Sequence, residues 1–295
     1  MSSYVVMLDD LQKKSNPEYN EMNDITAATI YAIPDPSIKA IIPPPLELTD
    51  PALLIIYVSD IRKPTFAAPY MEGGIGVLTK LKDKDGRTHT GIYYFNLQLC
   101  GAGSQNATFM GREEAGLPKK FADLINLKRE RDNVFFQIER NGVRLLEARL
   151  KIGPYNDPSF TNGLEYLDPR RGVLKEDSVL THRYNTDDTN GLHNMNIYYY
   201  NSPTIFYHYE SAYATVKLQS SASDPWGEIK IAKILGGSWA KNNNFIIDVT
   251  KIYSYTNTEA INVMRYLYAG RFDPLVGRVP GTKFFNCPTR PGEII

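Results

Sequence analysis

Cysteine, histidine and net charge are scarce in this sequence, and each scarcity removes a class of protein. Its two cysteines, Cys100 and Cys287, lie far apart and outside any CxxC spacing, so neither a disulfide framework nor a thiolate metal site is suggested, and both are expected as buried free thiols. The four histidines, His89, His182, His193 and His208, show no HxH or HxxxH spacing, and no metal site is expected. Lysine plus arginine equals aspartate plus glutamate at 33 each, which leaves no bulk field to draw nucleic acid or an anionic membrane. The longest apolar run, Ala52 to Val58, falls far short of the roughly 20 residues that cross a bilayer. The N-terminus lacks a basic-then-apolar export signal. Gly101-Ala102-Gly103 lacks the third glycine and following helix of a dinucleotide loop and reads as a turn. The expectation is a cytoplasmic protein with no nucleic-acid partner, no membrane partner and no organic cofactor.

What the sequence has in quantity is tyrosine, 20 in 295 residues, a side chain suited to strands and to half-buried surfaces that need a polar tip. Segments rich in β-branched and aromatic residues recur at Leu53 to Val58, Gly74 to Lys82, Gly91 to Leu99, Val134 to Glu139, Val143 to Ile152, Ile205 to Leu218, Glu228 to Leu235 and Phe245 to Tyr255. Asp85-Gly86 and Asn141-Gly142 separate paired segments, and glycine supplies the positive φ of a tight turn, so both read as antiparallel hairpins. Helical patterning is confined to Ser37 to Ile42, Lys119 to Arg131, and Thr258 to Ala269, the last capped by Asn257 and stopped by Gly270. The fold class is mainly β within α+β: a curved antiparallel sheet or barrel-like domain with a few peripheral helices. Turn residues crowd 153–196, which reads as a long excursion or lid. The domain spans 1–270 and a proline- and glycine-rich arm occupies 271–295.

Gly111-Arg112-Glu113, followed five residues later by Pro118-Lys119-Lys120, resembles the lysine motif of the acetoacetate decarboxylase family. Pro43-Pro44-Pro45-Leu46-Glu47, Tyr70-Met71-Glu72-Gly73 and Ile252-Tyr253-Ser254-Tyr255 fall in the same order, so the resemblance covers about residues 23 to 255. It implies a barrel-like fold, a homo-oligomer, and a small keto acid bound as an imine on Lys119. Only a neutral amine attacks a ketone, and an apolar pocket or a neighbouring cation favours the neutral form; acetoacetate decarboxylase is a standard example of such activation. Lys120 would bind substrate or tune Lys119.

Two family positions differ. An arginine expected before the first core strand falls at Asp24, and the first of two pocket glutamates falls at Tyr57, leaving Glu72 as the surviving carboxylate. On a strand, Tyr70 and Glu72 point to one face and share the pocket, where a carboxyl and phenols move protons around an imine. Tyr253 is a further proton donor by the resemblance. Arg112 and Glu113 are expected as a buried pair supporting the lysine loop. Three activities stay open: decarboxylation of a keto acid, aldolase or dehydratase chemistry through the same imine, and silent binding of a small molecule.

Overall fold

Two-residue alternation along the strands splits this chain between a packed core and a hollow. A computed structural model describes residues 21–153, 178–187 and 191–273. The strands are β1 (Glu21–Pro34), β2 (Glu47–Leu48), β3 (Leu54–Pro64), β4 (Tyr70–Lys82), β5 (Thr88–Cys100), β6 (Lys119–Phe121), β7 (Leu124–Glu130), β8 (Asn133–Arg140), β9 (Val143–Ile152), β10 (Val179–Asp187), β11 (Gly191–Asn201), β12 (Thr204–Leu218), β13 (Ile231–Phe245) and β14 (Asp248–Ser254). The helices are α1 (Ser104–Glu113) and α2 (Asn257–Arg271), with a short 3-10 turn at Pro36–Ile41. The sheet runs β14-β11-β10-β5-β4-β3-β1-β13-β12-β9-β8-β7, with β2 on β4 and β6 on β5. Its neighbours are antiparallel except where β5 meets β10 and β6.

On β1, Ala28, Ile30 and Ala32 are fully buried, and on β3 so are Leu54, Ile56 and Val58; they pack with Phe136 and Ile138 of β8. The residues between them, Ala27 and Thr29 on β1 and Ile55, Tyr57 and Ser59 on β3, face a cavity on the other side. One pleat thus serves two purposes. Strand pairing does not close the sheet into a ring. The chain itself bridges the gap, crossing from β11 to β12 and from β13 to β14 through short links whose Ser202 and Ile246 also face the cavity.

Both predicted hairpins form, Asp85-Gly86 between β4 and β5, and Asn141-Gly142 between β8 and β9 with φ of 52° and 71°. The helix expected over Lys119 to Arg131 does not: these residues form β6 and β7, where Ile125 is buried between exposed Leu124 and half-buried Asn126. Pairing with β5 and β8 overrides helix propensity. The excursion read over 153–196 is also corrected, since residues 179–187 and 191–201 are full strands of the sheet. The cluster around Gly191, taken for loop, marks the end of a hairpin, while residues 154–177 and 188–190 lie outside the described residues.

The C-terminal helix forms with different ends. Thr256, not Asn257, caps it: its side chain accepts from Glu259 N and the Glu259 carboxylate accepts from Thr256 N. Gly270 does not stop it, and the helix runs on to Arg271. A Cβ at Gly270 would stand 2.2 Å from Phe95 O, so this glycine serves close packing of helix on sheet. The arm from residue 274 and Cys287 lie outside the described residues.

Candidate active site

The parity of β6 assigns the two lysines. Lys119 pairs with Leu97 of β5, whose side chain faces the cavity, and Lys120 pairs with Gln98, which faces away. The cavity holds about 740 Å³ and is walled largely by aliphatic and aromatic side chains. Lys119 is only 5% exposed on its wall. Its Nζ lies 2.9 Å from Glu72 Oε2, and the Tyr57 hydroxyl donates to Glu72 Oε1 at 2.7 Å. The Tyr70 ring centroid is 5.9 Å from the ammonium. Tyr70 and Glu72 therefore share one face of β4, and Tyr57 reaches them from β3.

Two glycines make room for this group. A Cβ at Gly111 of α1 would stand 2.6 Å from Lys119 Cδ and 2.7 Å from Cε, so the first residue of the Gly-Arg-Glu motif is the channel through which the lysine side chain passes. A Cβ at Gly74 would crowd the Tyr57 ring at 3.3 Å. Burial, followed by the nearby Glu72 charge, raises the Tyr57 phenol well above its ordinary pKa, and the same two causes raise Tyr70. Both stay protonated, so Tyr57 is a standing donor to the carboxylate. Glu72 Oε2 makes no directed hydrogen bond despite its closeness to the ammonium.

Lys120 stands elsewhere. Its Nζ lies 3.1 Å from Asp224 Oδ1 and 3.2 Å from Asp273 Oδ1 and donates to Ser223 O at 2.8 Å. Arg140 joins the same two carboxylates at 2.6 and 2.8 Å, and Gln98 donates to Asp224. Held by two acids and absent from the cavity wall, Lys120 is placed as a structural clamp and not beside Lys119 in the pocket, where it was expected to bind substrate or tune the amine.

Tyr253 is not at the cavity either. It is half-buried on β14, its ring centroid 4.9 Å from that of Tyr255. Tyr255 is the more buried phenol, donating to Pro44 O at 2.7 Å and meeting His182 Nε2 at 3.1 Å. The proline motif and the C-terminal tyrosine motif are thus tied together through Tyr255. Arg112 and Glu113 form no ion pair with each other among the described residues. Arg112 lies 5.3 Å over the Phe272 ring and Glu113 is exposed on the cavity rim. Asp24 pairs weakly with exposed Lys63 at 3.7 Å and does not face the cavity.

Sequence reasoning missed Arg183 on β10, the one cation besides Lys119 among the described cavity-lining residues. It lay in the segment read as a lid. Only the strand alternation Leu180-Thr181-His182-Arg183 would have flagged it, with Leu180 and His182 buried in the core and Thr181 and Arg183 on the cavity. No three metal-ligating side chains converge among the described residues, and no described helix is long and apolar enough to cross a membrane.

A family model for acetoacetate decarboxylase matches residues 8–255. A CLA biosynthesis isomerase from Lactiplantibacillus plantarum is 31% identical over 283 residues, covering 92% of this chain and 95% of that protein. The crystal structure of acetoacetate decarboxylase from Legionella pneumophila superposes with a TM-score of 0.69 at 17% identity, over 86% of this chain and 99% of that one. The enduracididine biosynthesis enzyme MppR, complexed with the condensation product of pyruvate and imidazole 4-carboxaldehyde, gives 0.59 at 12% identity, over 79% and 89%. With the family model spanning most of its length and an isomerase aligned nearly end to end, this chain belongs to the acetoacetate decarboxylase family.

Proposed function

We propose that this protein is an isomerase that captures an unsaturated ketone as an imine on Lys119 and shifts the carbon-carbon double bond with Glu72 as proton carrier. The observation that carries the reading is the Lys119–Glu72–Tyr57 cluster on the wall of a large apolar cavity. Glu72 takes a proton from the ammonium, the neutral amine adds to the carbonyl, and Glu72 returns that proton to the departing hydroxyl, so that water leaves, a protonated imine forms and Glu72 is a carboxylate again. That cation acidifies the carbon between the carbonyl and the double bond. Glu72 removes a proton there to form a dienamine and returns it to the far alkene carbon, so the double bond comes into conjugation. Water then hydrolyses the imine, restores Lys119 and releases an isomer of the substrate, with no atom gained or lost. Tyr57, held protonated, steadies the carboxylate in each state.

Decarboxylation through the same imine fits less well. A β-carboxylate bound beside the amine would approach the Glu72 carboxylate, and Asp24 supplies no cation where an arginine was expected. Like charges at this depth disfavour that complex. The isomerase relative favours the same choice. The test is to incubate the protein with a β,γ-unsaturated ketone and follow the ultraviolet absorbance of the conjugated product. Borohydride should then trap the carbon skeleton on Lys119, and Lys119→Ala should abolish both signals. Carbon dioxide released from a 3-oxo acid, with no conjugation of the enone, would overturn the reading in favour of a decarboxylase.

A further inference from the structure

We propose that Arg183 is a substrate-binding residue that receives a carboxylate of the ligand, so that the preferred substrates are oxo acids rather than neutral ketones. The assignment deepens the Lys119 reading and rests on it for the position of the carbonyl. Arg183 lines the same cavity as Lys119. Its guanidinium carbon lies 4.4 Å over the Tyr198 ring and 5.4 Å over the Tyr200 ring, and it donates to the Tyr200 hydroxyl. Its Nε is buried with no hydrogen-bond partner. Among the described residues Arg183 makes no ion pair within 4 Å, although the charge of Glu114, on the same cavity, acts on it from farther away.

The fully buried cations differ from half-buried Arg183 in this respect. Lys119 has Glu72, while Lys120 and Arg140 share Asp224 and Asp273. Arg271 donates to two backbone carbonyls, Gly116 O and His182 O. Arg183 is held by aromatic faces, which fix the plane of the guanidinium and leave its edge for a planar acceptor. A carboxylate matches this fork in shape and charge. A phosphate dianion does not, because one cation would leave a negative charge uncompensated in an apolar cavity.

The position fits a single ligand spanning both points. A Cβ at Gly116 would lie 2.8 Å from Arg183 Cγ, so the arginine packs on the loop that leads to Lys119. Gly116 and Lys119 are three residues apart, a Cα separation of at most about 11 Å. The cavity supplies the apolar space between the two polar contacts and beyond them.

The experiment compares saturated oxodecanoic acids, with the ketone at carbon 4 through 8, against their methyl esters. Borohydride trapping on Lys119 is read by peptide mass as a function of ligand concentration. Wild type should half-saturate at a concentration at least about tenfold lower for the best acid than for its ester, in the range of a charge-assisted bond. In Arg183→Gln that ratio should collapse towards one, and Arg183→Lys should restore part of it. A ratio unchanged in Arg183→Gln, including a loss that strikes acid and ester equally, overturns the assignment. Should neither compound be trapped on wild-type Lys119, it is the imine reading that has failed. Equilibrium dialysis of the same acid then decides for Arg183: binding lost in Arg183→Gln supports it, and binding retained overturns it.

Discussion

Lys119 and Lys120 are neighbours in sequence with the same side chain, yet they live in different chemical worlds. Lys119 meets one carboxylate, whose other oxygen accepts from the Tyr57 hydroxyl, at the edge of an apolar cavity. Lys120 meets two carboxylates and a carbonyl in a cluster sealed by Arg140. A buried ammonium with all its donors matched is inert because any change leaves charges unpaired. Lys119 has one loosely directed carboxylate against it and the open cavity beside it, the setting that the proposed imine chemistry needs. Depth of burial is the same, 5% exposure for each, so burial does not distinguish them; the count of partners does.

The sharpest way to break the comparison is on the reactive side. Glu72→Gln should be trapped by borohydride more slowly, because the amide cannot take the ammonium proton, and turnover, which uses the carboxylate again in the double-bond shift, should fall by about 10²- to 10⁴-fold. Turnover at the wild-type rate would remove Glu72 from proton transfer.

A buried base with no acid at all extends the contrast. Burial, followed by the charge of Arg271, pushes the His182 pKa down to about 3. Because the fold disfavours its cation, the His182 contribution is complete above the unfolded value near 6.5 and is lost as pH falls towards 3. Stability should therefore drop by about 3 kcal/mol from this residue between pH 7 and 4. Urea midpoints for wild type and His182→Asn at both pH values check it: the variant should lose less on acidification, and equal losses would contradict it.

On the inert side, Asp224→Asn strips a carboxylate from two cations and should lower stability by about 3 to 5 kcal/mol. Imine trapping per folded molecule should persist. A melting temperature unchanged from wild type would show that Asp273 alone suffices.

The smallest effect separates packing from chemistry. Gly111→Ala should change stability by no more than about 1 kcal/mol, since the better helix propensity of alanine offsets part of the cost of moving the buried lysine. The added methyl displaces Lys119, so trapping should slow by about tenfold or more. Unchanged trapping would mean that the lysine reaches its carbonyl by another path.

The sequence made some of this plain and hid the rest for physical reasons. Asn141-Gly142 and Asp85-Gly86 are visible because turn geometry is local. Lys119, Glu72 and Tyr57 line the cavity, and Tyr70 packs beside the lysine without lining it; the order of motifs pointed to them, and the alternation of a strand put Tyr70 and Glu72 on one side. Helix α1 stayed hidden because its buried face is only Ala107, Thr108 and Gly111. Strands β10 and β11 stayed hidden because their tyrosines and asparagines mix with turn residues, so their identity rests on pairing with each other and with β14. Tyr253 and Tyr255 illustrate the limit: a motif names two phenols, and only three-dimensional packing tells which one is buried.

Strand β6 is three residues long and pairs with Leu97 to Leu99. A strand so short could slip by one residue, and either frame would present a lysine to the cavity. In the slipped frame Phe121 would take the place of Lys120 opposite Asp224, leaving that carboxylate, 1% exposed, without its ammonium. Asp224 thus acts as a gauge of frame. A carboxylate away from the cavity decides which of two identical side chains faces it.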